Sequence, residues 1–202
     1  MKHEWRKHEK ILYGVKQFPQ IIEMPMQQFI MIFGKGNPND KDFSDKVSAL
    51  YSLAYSIKMI YKNVAISNEI SDYTVYPLEA IWKYVGDTEQ LDKNQLEYTL
   101  MIRQPDVITK DIFLDALERV KIKKPNRLYE QIFFDTIQDP KSIEILHVGA
   151  YDDEPMSFQK MDLFAKENGL VRSTSYHREI YLNNVNRVLK SNLKTILRYC
   201  VE

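Results

Sequence analysis

Apolar and polar positions alternate along the chain with a period that changes several times, and each change marks an element. Residues 21–36 begin extended, with Pro25 at an edge or a bulge. Within them Phe29-Ile30-Met31-Ile32-Phe33 is predicted to be a strand buried on both faces, ended by Gly34 and Gly36. Asn39 or Asp40 then caps a helix in which Phe43, Val47, Leu50, Ala54, Ile57 and Tyr61 recur at helical spacing for about five turns. A polar connection at 67–72 leads to a strand over 73–84. A charged turn at 86–94 separates that strand from a hairpin partner at 96–103, which Pro105 stops. Residues 109–121 are predicted helical, with Ile112, Phe113, Ala116, Leu117 and Val120 on one side. Strands follow at 131–137 and 142–148, the first turned at Asp139-Pro140 and the second closed by Gly149. Tyr151-Asp152-Asp153-Glu154-Pro155 starts a helix, with an acid in its first turn and an early proline. Phe158, Met161 and Ala165 form its apolar stripe, and Asn168-Gly169 closes it. A strand at 173–182, a polar turn at 183–192 and a last strand at 193–200 complete the chain.

The two halves share one order: a strand ending in glycine, a helix, a strand carrying one glutamate, a turn, a strand. Residues 29–34 match 143–149 or 144–149, and 96–103 match 193–199. A βαββ unit cannot cover its own sheet alone. Two of them side by side predict an α+β fold: two βαββ modules in a pseudo-twofold arrangement, a mostly antiparallel sheet, two long helices on one face and a ligand pocket on the other. The chain is thus expected to form one domain over 1–202, with an N-terminal arm at 1–20 and a first module at 21–105. A helix and linker follow at 106–127, and a second module at 128–202.

Composition narrows the function classes. The 202 residues are 44% hydrophobic and 28% charged, as in an ordinary globular domain, so disorder is not expected. Twenty-eight basic and 28 acidic residues cancel, which leaves no field to attract nucleic acid or an anionic membrane surface. Cys200 is the only cysteine, which excludes an intrachain disulfide and a cysteine-based metal site. The first ten residues are too charged for a signal peptide and no run is long enough to span a membrane, so a cytoplasmic protein is expected. Aromatic residues make up 12% of the chain, which suits a cavity with apolar walls and polar tips.

The chemistry-bearing stretch is the one that recurs. Tyr76-Pro77-Leu78-Glu79-Ala80-Ile81-Trp82 reappears as Tyr176-His177-Arg178-Glu179-Ile180-Tyr181-Leu182, each with an acid inside a run of strand-forming residues. If the halves are related by a pseudo-twofold, Glu79 and Glu179 converge on one cleft. Two carboxyl groups in one low-dielectric pocket repel and desolvate each other, so one stays protonated beside an ionised partner. Glu179, flanked on its face by His177 and Tyr181, is expected to activate a water, with Glu79 or a tyrosine such as Tyr151 as proton donor. Trp82, Tyr151, Tyr176 and Tyr181 are candidate stacking walls, and His147 and His177 candidate polar contacts. No spaced cluster of ligands marks a metal site, and neither a phosphate loop nor a nucleophile elbow is present, so no cofactor is expected.

Six segments carry a resemblance to a known family: Glu4-Trp5-Arg6-Lys7, Tyr76-Pro77-Leu78-Glu79, Met101-Ile102-Arg103-Gln104-Pro105-Asp106, Ile145-Leu146-His147-Val148-Gly149, Tyr151-Asp152-Asp153-Glu154-Pro155 and His177-Arg178-Glu179-Ile180-Tyr181-Leu182. On these the chain resembles the GyrI-like (gyrase-inhibitor-like) small-molecule-binding family, in particular its stand-alone members. The resemblance implies two βαββ modules around a central pocket for bulky aromatic or cationic compounds, with a recurring pocket glutamate. It also implies kinship with hydrolases that open the cyclopropane ring of DNA-alkylating natural products. A detoxifying cyclopropanoid hydrolase is therefore the first expectation. The alternative is a non-catalytic binder or sensor of aromatic or cationic drugs, with Glu179 as counter-ion and cation–π contacts from the walls. Gyrase inhibition through protein contact is a more distant third. Only twenty residues precede the first predicted strand, too few for a helix-turn-helix unit.

Overall fold

The computed structural model describes residues 1–65, 69–86 and 92–202; parts of the polar connection at 67–72 and of the charged turn at 86–94 lie outside them. In chain order the elements are β1 (Lys2–His3), α1 (Trp5–His8), α2 (Lys10–Tyr13), β2 (Gln20–Ile22), β3 (Gln27–Lys35), α3 (Lys41–Val64), β4 (Asp72–Tyr73), β5 (Leu78–Tyr84), β6 (Leu96–Gln104), α4 (Lys110–Lys123), β7 (Phe133–Ile137), β8 (Ser142–Val148), α5 (Glu154–Glu167), β9 (Tyr176–Tyr181) and β10 (Lys194–Cys200). Eight strands form one sheet in the order β2-β8-β10-β9-β5-β6-β3-β7, and every pairing in it is antiparallel. This is the mixed α+β architecture that the repeated strand and helix pattern implies. Thr109 caps α4, its hydroxyl accepting from the Ile112 amide at 3.3 Å.

The register decides which side chains meet. Paired residues in an antiparallel sheet share a face, so Ile32, Leu100, Ala80, Glu179, Leu197 and Ile145 form one row across the sheet. That row faces the helices: Leu50, Leu53 and Ile57 of α3 pack with Ile30, Ile32 and Leu100, while Met161 and Ala165 of α5 pack with Ile143, Ile145 and Leu197. The neighbouring row, Met31, Met101, Glu79, Ile180, Ile196 and Leu146, points the other way. The N-terminal arm covers part of this second face, where Leu12 and Tyr13 line a small cavity with Glu79, Ile180 and Arg198. Glu9 fastens the arm by accepting from Arg103 and Tyr76, and the Trp5 indole donates to the Val75 carbonyl at 3.1 Å. The strand expected over 73–84 is accordingly split. Its first part, β4, pairs in parallel with β1 of the arm, and only β5 joins the main sheet.

Two hydrogen bonds define how the halves correspond. Gly36, at φ +111°, donates to the Leu96 carbonyl at 2.8 Å, and Gly149, at φ +148°, donates to the Leu193 carbonyl at 3.1 Å. Carried through the strand pairings, this alignment matches Trp82 with Tyr181 and Ala80 with Glu179, and it matches the first residue of α3 with the first residue of α5. The local twofold therefore passes through the Ala80–Glu179 pair at the seam between β5 and β9.

Gly34 does not end β3; it lies inside the strand opposite Tyr98. A methyl group added there would lie 2.1 Å from the Tyr98 ring. The bare backbone lets that ring lie flat on the strand, and the ring in turn packs 5.2 Å from Trp82. Gly34→Ala is expected to lower stability by about 1–3 kcal/mol, the usual cost of forcing extra volume into a packed site. Denaturant midpoints measure it, and an unchanged midpoint would show that Tyr98 does not need the bare backbone.

Candidate functional site

Glu179 sits near the centre of the sheet on its helix-covered face, with 8% of its surface exposed. The strand period brings His177 and Tyr181 to the same face, and both bond the carboxylate. His177 Nε2 donates to Oε1 at 2.9 Å and the Tyr181 hydroxyl to Oε2 at 2.6 Å. Trp82, from the other half, donates its indole N–H to the Tyr181 oxygen at 2.9 Å. The turn before α5 then brings Tyr151 over the site, its ring edge-on to Tyr181 at 5.9 Å, and Phe158 packs edge-on to His177 at 4.9 Å.

The first turn of α5 adds a second carboxyl group, Glu154, also 8% exposed. Burial pushes its pKa up to about 10, helped by the charge of Glu179, a hydrogen bond to Glu179 and the charge of Asp152. Two carboxyl groups can hydrogen-bond only if one carries a proton, so Glu154 is the donor and Glu179 the acceptor of a shared proton. Glu154 Oε1 is shielded from solvent and makes no hydrogen bond to another described residue. Tyr151 is held protonated as well, its pKa pushed up to about 12 by burial and by the two nearby carboxyl groups. The arrangement is an acid–base pair: a protonated acid touching a carboxylate that already accepts two other hydrogen bonds, beside a half-exposed tyrosine and a histidine that reach solvent.

Glu79 does not join it. In the β5–β9 register Glu79 stands opposite Ile180, and Ala80 stands opposite Glu179, so the two acids point to opposite faces of the sheet. The expected convergence of Glu79 and Glu179 is overturned by this one-residue offset. Glu79 belongs instead to a buried ionic network in which two guanidiniums meet three carboxyl groups. Arg178 lies 3.5 Å from Glu79 and 3.0 Å from Asp139, and Arg198 lies 3.2 Å from Asp139 and 2.8 Å from Glu144. Burial raises the pKa of Glu79, and Arg178 and Arg198 only partly oppose it.

Two further expected contacts fall elsewhere. Tyr176 shares the face of Arg178 and lines an open groove of about 590 Å³ with Phe33, Lys35, Ile81, Lys83 and Thr99, on the side of the sheet away from the helices. His147 is on the helix face, but both of its ring nitrogens are engaged. Nε2 donates to the Ala150 carbonyl at 2.9 Å, which leaves Nδ1 to accept from the Ser157 hydroxyl, also at 2.9 Å. Its role is to pin the turn that carries Tyr151 and Glu154. Among the described residues no group of three or more His, Cys, Asp or Glu side chains is placed to hold a metal ion. No helix among them is long and apolar enough to cross a membrane.

The family model for a GyrI-like small molecule binding domain matches residues 17–200. The chain is similar to a conserved protein of Listeria innocua of unassigned role, at 30% identity over 99% of this chain and 100% of that one, with a TM-score of 0.91. Two structures described as hydrolases from Listeria innocua are each 29% identical. One covers 99% of this chain and 100% of that one with a TM-score of 0.87, the other 100% of both with a TM-score of 0.89. No curated protein matches the chain.

The raised pKa of Glu154 has a signed effect on stability. The folded chain holds its proton up to about pH 10, whereas the unfolded chain releases it near 4.5. The contribution is therefore complete below about 4.5 and is lost as pH rises through that window, with a slope of at most about 1.4 kcal/mol per pH unit. Glu154→Gln should remove this slope, gaining stability relative to the parent as pH rises from 5 towards 9. Parallel stability–pH curves for the two proteins would sink the assignment.

Proposed function

The chain belongs to the GyrI-like small-molecule-binding family, and from that premise we propose that it is a hydrolase acting on neutral, strained aromatic compounds. The substrate class is a cyclopropane ring conjugated to a carbonyl, as in DNA-alkylating natural products, and the outcome is their detoxification. The observation that carries the proposal is the Glu154–Glu179 pair, in which burial and mutual repulsion keep one acid protonated against the other.

The chemistry divides between the two. Glu179 takes a proton from water while the water oxygen bonds to a ring CH₂ carbon. The ring C–C bond breaks, its electron pair flows into the conjugated carbonyl, and Glu154 delivers its proton to the oxygen that becomes negative. One water is added and no charge is left over. Proton transfer from Glu179 back to Glu154, which share a hydrogen bond, resets the pair. Tyr151 lies at the rim with a protonated hydroxyl, suited to hold the same carbonyl oxygen.

A counter-ion role in drug sequestration is less well supported. An organic cation is best held by a free carboxylate. Here the charge of Glu179 is already shared among His177, Tyr181 and Glu154.

The test mixes purified protein with a cyclopropane-bearing indole alkylator and follows loss of its conjugated chromophore. Turnover beyond one equivalent is expected, falling by roughly 10²- to 10⁴-fold in Glu179→Gln and in Glu154→Gln, as for loss of a general base or acid. Glu79→Gln should lower stability but retain turnover per folded molecule, because its network lies across the sheet. Saturable binding without product, weakened by Glu179→Gln, would replace the hydrolase by a sequestering protein.

A further inference from the structure

Trp82 is the aromatic that the first half of the chain, among the described residues, contributes to the Glu179 hydrogen-bond chain, and its surroundings do not suit a stacking wall. The indole is 6% exposed and packed in a three-ring cluster with Phe43, at 5.8 Å and nearly parallel, and Tyr98, at 5.2 Å. It has little surface to offer a ligand. Its N–H edge is the part that reaches across the seam. Trp82 pairs with His177, four residues from Tyr181, so roughly 13 Å of strand separates the two backbones at about 3.3 Å per residue. The two side chains close that gap from both ends to meet at 2.9 Å, on the face where Ala80 presents only a methyl group.

Donor and acceptor rules then fix the direction of the chain. An indole N–H can only donate, so the Tyr181 oxygen must accept from it, and the single hydroxyl proton is left to point at Glu179. We propose that Trp82 is a positioning residue: by holding the Tyr181 hydroxyl in this sense it orients the Glu179 carboxylate, so that the first half of the chain sets the geometry of an acid supplied by the second. The catalytic consequence rests on the hydrolase reading above; the orientation itself does not. Two observations from the first half support it. The bare backbone of Gly34 makes room for Tyr98 behind the indole, and Phe43, in the first turn of α3, packs on it from the helix layer. Tyr181 occupies the position that corresponds to Trp82 in the repeat, so a pair of equivalent residues has become a donor and a relay.

The test uses the full chain and has two arms. The protein has two tryptophans, and the Trp5 indole donates to a backbone carbonyl, which makes it an internal control. In ¹H–¹⁵N spectra Glu179→Gln should move the Trp82 indole signal and leave that of Trp5 in place, and in a Tyr181→Phe background the same substitution should no longer move it. A Trp82 signal indifferent to Glu179→Gln, or equally sensitive with Tyr181 replaced, overturns the proposal. In the second arm Trp82→Phe keeps the ring cluster and removes the N–H. It should lower kcat by about 3- to 10-fold, the worth of one buried hydrogen bond, with KM unchanged and the acid limb of the rate–pH profile moved to higher pH. A raised KM with kcat held would instead make Trp82 a ligand contact and overturn the positioning role. If no substrate is turned over, the hydrolase reading fails, and the spectra still decide whether Trp82 speaks to Glu179 through Tyr181.

Discussion

The antiparallel pairing of β5 with β9 constrains everything else in this molecule. Side chains alternate faces with a period of two, so the register Ala80 opposite Glu179 assigns each acid of the repeat to a different environment. One residue of slip would set Glu79 opposite Glu179 and bring both acids to one face of the sheet. The register is held by more than the two strands. The helix-face row is dictated by the apolar cores under α3 and α5, and the opposite row by the arm that Glu9 ties to Arg103 and Tyr76.

The two buried acids show how surroundings decide the fate of a carboxyl group. Burial raises the proton affinity of Glu79 and of Glu154 alike. Around Glu79 the guanidiniums of Arg178 and Arg198 oppose that rise, and the crossing residue Asp139 binds both arginines. Such a network is costly to desolvate and severely damaged by loss of one partner, which suits a structural role. Around Glu154, among the described residues, the charges that act are those of other acids, Glu179 and Asp152, and they add to the rise. The same physical cost is partly offset by cations on one side of the sheet and reinforced by a second acid on the other.

Much of the fold can be read from periodicity. The apolar spacing from Phe43 to Tyr61 locates α3, and β8 spans the residues that its pattern marks. Glu179 with His177 and Tyr181 is equally legible, because a strand places alternate residues together whatever surrounds it. The relation between the halves is harder. Aligning the motifs acid on acid puts Glu79 against Glu179, whereas the glycine hydrogen bonds put Ala80 there, and a shift of one is invisible to a pattern match. Glu154 was hidden for another reason. An acid in the first turn of a helix already has an explanation in the helix dipole, and only packing of α5 against the sheet shows that this one is buried against a second carboxyl group. Trp82 likewise carries no mark of its partner, since its bond crosses a seam between segments far apart in sequence.

The local twofold has a last consequence for how this domain can be divided. The axis passes between two corresponding residues that differ in kind, an acid from one repeat facing a methyl group from the other. The reactive centre therefore belongs to neither repeat by itself. Severed at the link between α4 and β7, the amino-terminal fragment would hold the Trp82 indole without Glu179, and the carboxy-terminal fragment would hold Glu179 and Tyr181 without the indole that fixes the hydroxyl. An architecture made by doubling is, in its chemistry, indivisible.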